Sequence, residues 1–92
     1  MDAMSLFRDA LNTFFWDEID YEKAIAEMRA EVLRRPKYAE LIRTALHQIL
    51  SADQFDGVTL VEWYANRWVE GSPAKAKEWL ERLQADLFGA TT

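Results

Sequence analysis

Apolar positions recur at intervals of three and four along this chain, the spacing that sets side chains on one face of an α-helix. Leu6, Phe7, Ala10, Leu11, Phe14 and Phe15 form the first such stripe, with Asp2 or Ser5 available as its cap, and predict a helix over residues 4–16. A second stripe runs through Tyr21, Ala24, Ile25, Met28 and Val32 and predicts a helix over residues 20–35. Asp20 suits its N-cap, Glu22 its first turn, and Arg34 and Arg35 its carboxyl end. Pro36 cannot continue that helix without deleting a hydrogen bond, yet it fits the first turn of the next. The third helix, over residues 36–51, has the most regular pattern: Tyr38, Leu41, Ile42, Ala45, Leu46, Ile49 and Leu50.

Residues 51–57 contain Asp53, Asp56 and Gly57, break the pattern, and read as the longest loop, with Phe55 tucked toward the core. Residues 58–64 are rich in β-branched and aromatic side chains, a composition that suits a strand. A lone strand has nothing to pair with, however, and Thr59 with Glu62 matches a capping box. Val61, Tyr64, Ala65, Trp68 and Val69 keep helical spacing as far as Gly71, so a fourth helix is expected over residues 59–70. Ser72 and Pro73 open a fifth over residues 72–88, with Ala76, Trp79, Leu80, Leu83 and Leu87 inward and Gly89 as its stop. Thr91 and Thr92 are expected to fray. The expected fold is all-α, a compact bundle of about five short helices forming one domain over residues 1–92, without internal repeats.

Composition refines this picture in three ways. Half of the 92 residues are hydrophobic and only three are glycine and two proline, so an ordered core is expected. Area scaling for a 10.7 kDa chain predicts that roughly 10,000 Å² of about 15,500 Å² is buried on folding, enough for one core. There is no cysteine, which excludes a disulfide framework and thiolate chemistry. No stretch approaches the ~20 apolar residues that span a bilayer, and the amino terminus lacks the layout of a secretory signal, so a cytoplasmic location without membrane contact is expected.

Sixteen acidic residues oppose eleven basic ones, for a net charge of -5. Residues 1–28 carry seven acids and two bases, residues 29–47 two acids and five bases, and residues 48–71 four acids and one base. That balance opposes phosphate backbones and anionic lipid and favours a basic partner. The basic run Arg29, Arg34, Arg35, Lys37 and Arg43 straddles the joint of the second and third helices; interrupted by Glu31 and Glu40, it reads as a solvated patch that stabilises a helix end rather than a nucleic-acid contact.

Catalytic chemistry finds no footing in the residues. His47 is the one histidine, no serine lies in a nucleophile elbow, and each carboxylate fits a helix surface or cap, so no enzymatic activity is expected. Asp53, Asp56 and Gly57 resemble a fragment of a calcium loop but lack its alternating ligands and closing glutamate, and the three glycines build no phosphate cradle; no metal or cofactor is expected.

The aromatics are the informative set. Phe7, Phe14, Tyr38, Trp68 and Trp79 fall on predicted inner faces and are core by default. Trp16 lies about 200° around the helix from Phe14, beside Asp17, Glu18 and Asp20, and Trp63 lies about 200° from Val61, with Glu62, Asn66, Arg67 and Glu70 as surface neighbours. Such rings either fill side grooves between helices or face solvent as anchors for a partner.

A small, cysteine-free, acidic, helical chain with aromatics beside carboxylates resembles the immunity proteins of bacterial toxin systems, including contact-dependent growth inhibition and colicin-type bacteriocins. The residues that carry the resemblance are Trp16, Asp17, Glu18, Asp20 and Tyr21, with Asp53, Asp56, Glu62, Trp63 and Glu70 as a second edge. The paired tyrosines of the colicin nuclease immunity signature are missing, so no binding residue transfers by position. The resemblance implies a non-catalytic inhibitor whose partner is a basic toxin domain, often a nuclease, neutralised by occlusion. Two alternatives stand beside it: a phage-type acidic inhibitor of a nucleic-acid-binding complex, and a structural module, monomer or weak homodimer, that self-associates through Trp63 and Trp68.

Overall fold

Asp2 opens α1 (Ala3–Phe15) in the computed structural model, which describes residues 2–52 and 57–89. Its carboxylate accepts the Ser5 N–H at 2.7 Å, satisfying one of the donors that a helix start leaves free, and that bond holds the Asp2 pKa below its ordinary value. Asp20 does the same for α2 (Tyr21–Arg34), accepting the Glu22 N–H at 3.0 Å. Arg35 ends α2 and begins α3 (Pro36–Ser51) in one residue, held in extended backbone as the position before a proline requires. Ser72 caps α4 (Pro73–Phe88), its hydroxyl accepting the Lys75 N–H at 3.2 Å. Gly89 ends α4 at φ 83, a backbone state that other residues enter only with strain. Asp53, Phe55 and Asp56 lie outside the described residues.

The helices pack as a ring. α2 and α3 touch each other and each touches both α1 and α4, while the backbones of α1 and α4 do not come close. Phe7, Leu11 and Phe15 from α1, Ile25 and Met28 from α2, Ile42 and Leu46 from α3, and Leu80 and Leu83 from α4 are sealed in the shared core. Phe15 also sits among rings: its centroid is 5.2 Å from Trp79 at a 73° interplanar angle and 5.8 Å from Tyr21, while Tyr21 and Trp79 meet edge-on at 6.1 Å. Edge-to-face geometry of this kind adds attraction beyond burial and bridges the gap between α1 and α4. Phe14 and Trp79 are half-buried at the core's margin. The radius of gyration is 12.1 Å, close to the ~12 Å of a compact chain of this length, and no strand forms among the described residues.

The fourth segment departs from expectation. A short turn of α-helix begins at Val58, and a π-helix (Leu60–Tyr64) follows. The backbone unwinds in steps: Val61 N–H bonds to Gly57 O, Ala65 N–H to Leu60 O, and Arg67 N–H to Val61 O, widening from four residues to five to six. Asn66, at φ 55, then ends the helix well short of residue 70. Thr59 has helical dihedrals and makes no cap, so the capping box is absent. The consequence falls on Trp68: continued 3.6-residue spacing would point it inward, but the chain has already left the helix and the ring is exposed. Val61, Ala65 and Val69 remain buried.

Tyr38 is buried in α3 with the Arg35 guanidinium 5.2 Å from its ring centre. Burial first, and the Glu31 charge second, push its pKa up from 10.0 to about 12. A raised pKa means that the fold prefers the neutral phenol, so this contribution is complete below pH 10 and is lost as pH climbs from there toward 12. Tyr38→Phe is therefore expected to flatten the fall in stability over that interval, measured by urea denaturation at stepped alkaline pH.

Candidate functional site

Trp16 follows the last residue of α1, and the chain that it begins, residues 16–20, runs to α2 across the end of the π-helical segment. The last carbonyls of a helix have no donor within the helix and need one from elsewhere. Arg67 supplies it. One guanidinium nitrogen donates to Phe15 O at 3.2 Å and the other to Glu18 O at 2.5 Å, while the plane lies 5.5 Å from the Phe15 ring centre. Asn66 adds a bond from its side-chain amide to Trp16 O at 3.0 Å. Burial pulls the Arg67 pKa down from its ordinary value, and the Glu18 charge opposes that pull.

These bonds set two stretches side by side, residues 15–19 and residues 63–70, and both carry large apolar side chains into solvent. Trp16 is 42% exposed, Ile19 93%, Trp63 72% and Trp68 78%. Water-facing indoles in this number are unusual for a small monomer, because each leaves area that burial would stabilise at ~25 cal/mol per Å².

The carboxylates around this face have separate duties. Asp17 is exposed and makes no hydrogen bond or ion pair among the described residues. Glu18 accepts the Asp20 N–H at 3.2 Å and lies 3.6 Å from Lys23. Asp20 is the α2 cap. Tyr21 turns inward: its hydroxyl donates to Asp86 at 2.7 Å, Arg82 lies 4.0 Å over its ring, and burial, then the Asp86 bond, raises its pKa. Glu62 also turns onto its own chain, its carboxylate accepting the Val69 N–H at 3.1 Å and the Gly71 N–H at 2.9 Å. Glu70 pairs with Lys75 at 2.7 Å. Of the residues that the pattern singles out, the exposed face therefore retains Trp16, Asp17, Trp63 and the outer edges of Glu18 and Glu70, and it gains Ile19 and Trp68.

The turn that carries Glu70 is tight. Ser72 N–H bonds to Val69 O at 2.9 Å, and the two residues between, Glu70 at φ 58 and Gly71 at φ 64, are both left-handed, the dihedral signature of a type I′ turn. Asn or Gly is the usual first residue of such a turn; a glutamate there is strained.

Four of the five cations of the basic run, all but Lys37, are likewise occupied. Arg29 donates twice to Asp86 O, at 2.8 and 2.6 Å, capping α4 as Arg67 caps α1. Arg34 and Arg35 share Glu31, at 2.6 and 3.2 Å, and draw its pKa down. Arg43 stacks on Phe88 at 4.5 Å. His47 is exposed on α3. No group of three metal-ligating side chains occurs among the described residues, and no described helix is long and apolar enough to cross a membrane. A groove of about 390 Å³ between α1 and the joint of α2 and α3 is lined by Leu6, Ala10, Phe14 and Tyr38, with Asp9, Glu31 and Arg35 at its rim.

Fold and surface together define a small all-α protein with an aromatic, acid-edged face. No protein-family model matches the chain, and no curated protein or solved structure shows significant similarity to it.

Two substitutions separate the scaffold from the strain. Arg67→Ala removes the α1 cap and the cover on Phe15 and is expected to cost about 2 kcal/mol, lowering Tm by roughly 10 °C. Glu70→Asn keeps the turn and relieves the left-handed strain, with an expected gain of about 0.5–1 kcal/mol against the small loss of an exposed pair. Thermal and urea denaturation measure both.

Proposed function

We propose that this protein is a non-catalytic inhibitor that binds a basic protein partner through the face formed by Trp16, Ile19, Trp63 and Trp68, in the manner of an immunity protein that occludes a toxin domain. The observation that carries the reading is the exposure of three indoles on two stretches that Arg67 and Asn66 clamp together. Indoles fixed on a rigid base lose little entropy on binding and commonly act as hot spots. The net charge of -5 speeds the approach of a positive partner, and Asp17 stands ready to pair with it. The all-α fold and the unequal charge along the chain agree with the resemblance to toxin-immunity proteins; a phage-type inhibitor of a nucleic-acid-binding complex would use the same face. A structural module is the second reading, in which Trp63 and Trp68 meet their counterparts in another copy of the chain.

The test is inhibition of a cognate nuclease toxin domain, titrated with the wild type, with Trp16→Ala plus Asp17→Ala, and with Trp63→Ala plus Trp68→Ala. Stoichiometric inhibition by the wild type and a loss of about 30-fold or more in affinity for each double variant are expected. Undiminished inhibition by both would remove the face from the interaction. Sedimentation at micromolar concentration decides the second reading: a strict monomer leaves the self-association model without an interface.

A further inference from the structure

Guanidinium groups stack on aromatic rings four times among the described residues, and each pair is satisfied within the molecule: Arg35 on Tyr38 at 5.2 Å, Arg43 on Phe88 at 4.5 Å, Arg67 on Phe15 at 5.5 Å and Arg82 on Tyr21 at 4.0 Å. Among the described residues no such cation lies over the rings of Trp16, Trp63 and Trp68, although indole offers the strongest aromatic face for one. The cations nearest in sequence are engaged elsewhere. Arg67 is bound to helix carbonyls, Lys23 lies beside Glu18, and Lys75 is held by Glu70. The face thus combines vacant electron-rich rings with an unpaired carboxylate at Asp17, and it lacks a free positive charge of its own among the described residues. Planar, weakly hydrated guanidinium suits such a surface better than a compact ammonium.

A second feature concerns how Trp68 is held. The chain from Asn66 to Gly71 contains three left-handed residues, two of them not glycine, and leaves the core after Val69. Such a stretch holds one shape only if its surroundings impose it. Glu62 does so through one carboxylate oxygen that accepts the N–H groups of Val69 and Gly71, on either side of the strained Glu70.

We propose that this face is built to grip arginine side chains of a basic protein segment, with Trp68 as its principal ring, and that Glu62 is a positioning residue that fixes the Trp68 loop instead of a charge that meets the partner. The proposal takes the location of the face from the protein-binding reading above, but it does not depend on the partner being a toxin. It also inverts the pattern-based expectation for two residues: Trp68 moves from core to contact, and Glu62 from contact to support.

The experiment follows the four indole N–H resonances of the isotope-labelled full chain while a short peptide of alternating arginine and glycine is added, with the lysine–glycine peptide as control. Trp63 and Trp68 are expected to shift and Trp79 to stay, with affinity for the arginine peptide about threefold above that for the lysine peptide. Trp68→Ala, at an exposed position that leaves the fold intact, is expected to abolish the preference. Glu62→Ala is expected to weaken binding about tenfold by releasing the loop, and Glu62→Gln to restore most of it, because the amide oxygen still accepts both N–H groups while carrying no charge. Equal affinity for the two peptides, or no shift at all, overturns the arginine assignment without touching the toxin titration. A Glu62→Gln variant as impaired as Glu62→Ala overturns the positioning role. Indole shifts that depend on protein concentration before any peptide is added identify the occupant as a second copy of the chain and overturn the proposal.

Discussion

The carboxyl end of α1 must find hydrogen-bond donors, and the rest of the molecule is arranged around how it does so. Helices end with carbonyls that no residue of their own can satisfy. Here the answer comes from Arg67, some fifty residues further on, which reaches Phe15 O and Glu18 O while lying over the Phe15 ring. That single side chain closes the helix, covers a fully buried aromatic of the core, and fixes the position of the irregular chain between the π-helix and α4. Because the backbones of α1 and α4 do not come close, their link runs through α2 and α3 and through the rings of Phe15, Tyr21 and Trp79.

Charge in this protein is mostly structural. Asp2 and Asp20 cap helices, Glu62 holds a loop, Arg29 and Arg67 satisfy helix ends, and Glu31 ties Arg34 and Arg35 at the joint of α2 and α3. The pairs that remain on the surface contribute little individually. The acidic surplus consequently acts over distance, through the field it sets up around the molecule, more than through contacts already made.

Against that background the exposed indoles are the feature without an internal purpose. The side chains that fill the core are almost all aliphatic residues and phenylalanines, from the four α-helices and the π-helical segment, and no described buried side-chain N or O atom lacks a partner. What the fold leaves in water, besides Leu33 on α2, is the edge with Trp16, Ile19, Trp63 and Trp68. The strained turn at Glu70 lies on the same edge, and backbone strain of this kind concentrates where proteins bind.

Four helices were legible from spacing, and their caps from residue type, because amphipathic periodicity and capping are local: Asp2, Asp20, Pro36, Ser72 and Gly89 act within a few residues of themselves. That Trp16 and Trp63 lie off the apolar stripes was legible for the same reason, whereas their exposure to solvent instead of burial in side grooves was decided by the tertiary structure. Trp68 was not. Its exposure follows from a π-turn and the left-handed Asn66, and both are stabilised by partners remote in sequence, Arg67 on the end of α1 and Asn66 on Trp16 O. Tyr21 and Glu62 were legible as candidates by their neighbours in the chain, yet what they touch is decided by Asp86 on α4 and by a loop that folds back. The sequence by itself determined where helices run and which faces are apolar, since those depend on dihedral preference and short-range bonds. Only the tertiary structure decided which polar groups are used up within the fold and which rings are left to meet a partner, since that depends on where the chain folds back on itself, as at Glu62, and on contacts between remote residues, as of Arg67 with Phe15 and of Tyr21 with Asp86.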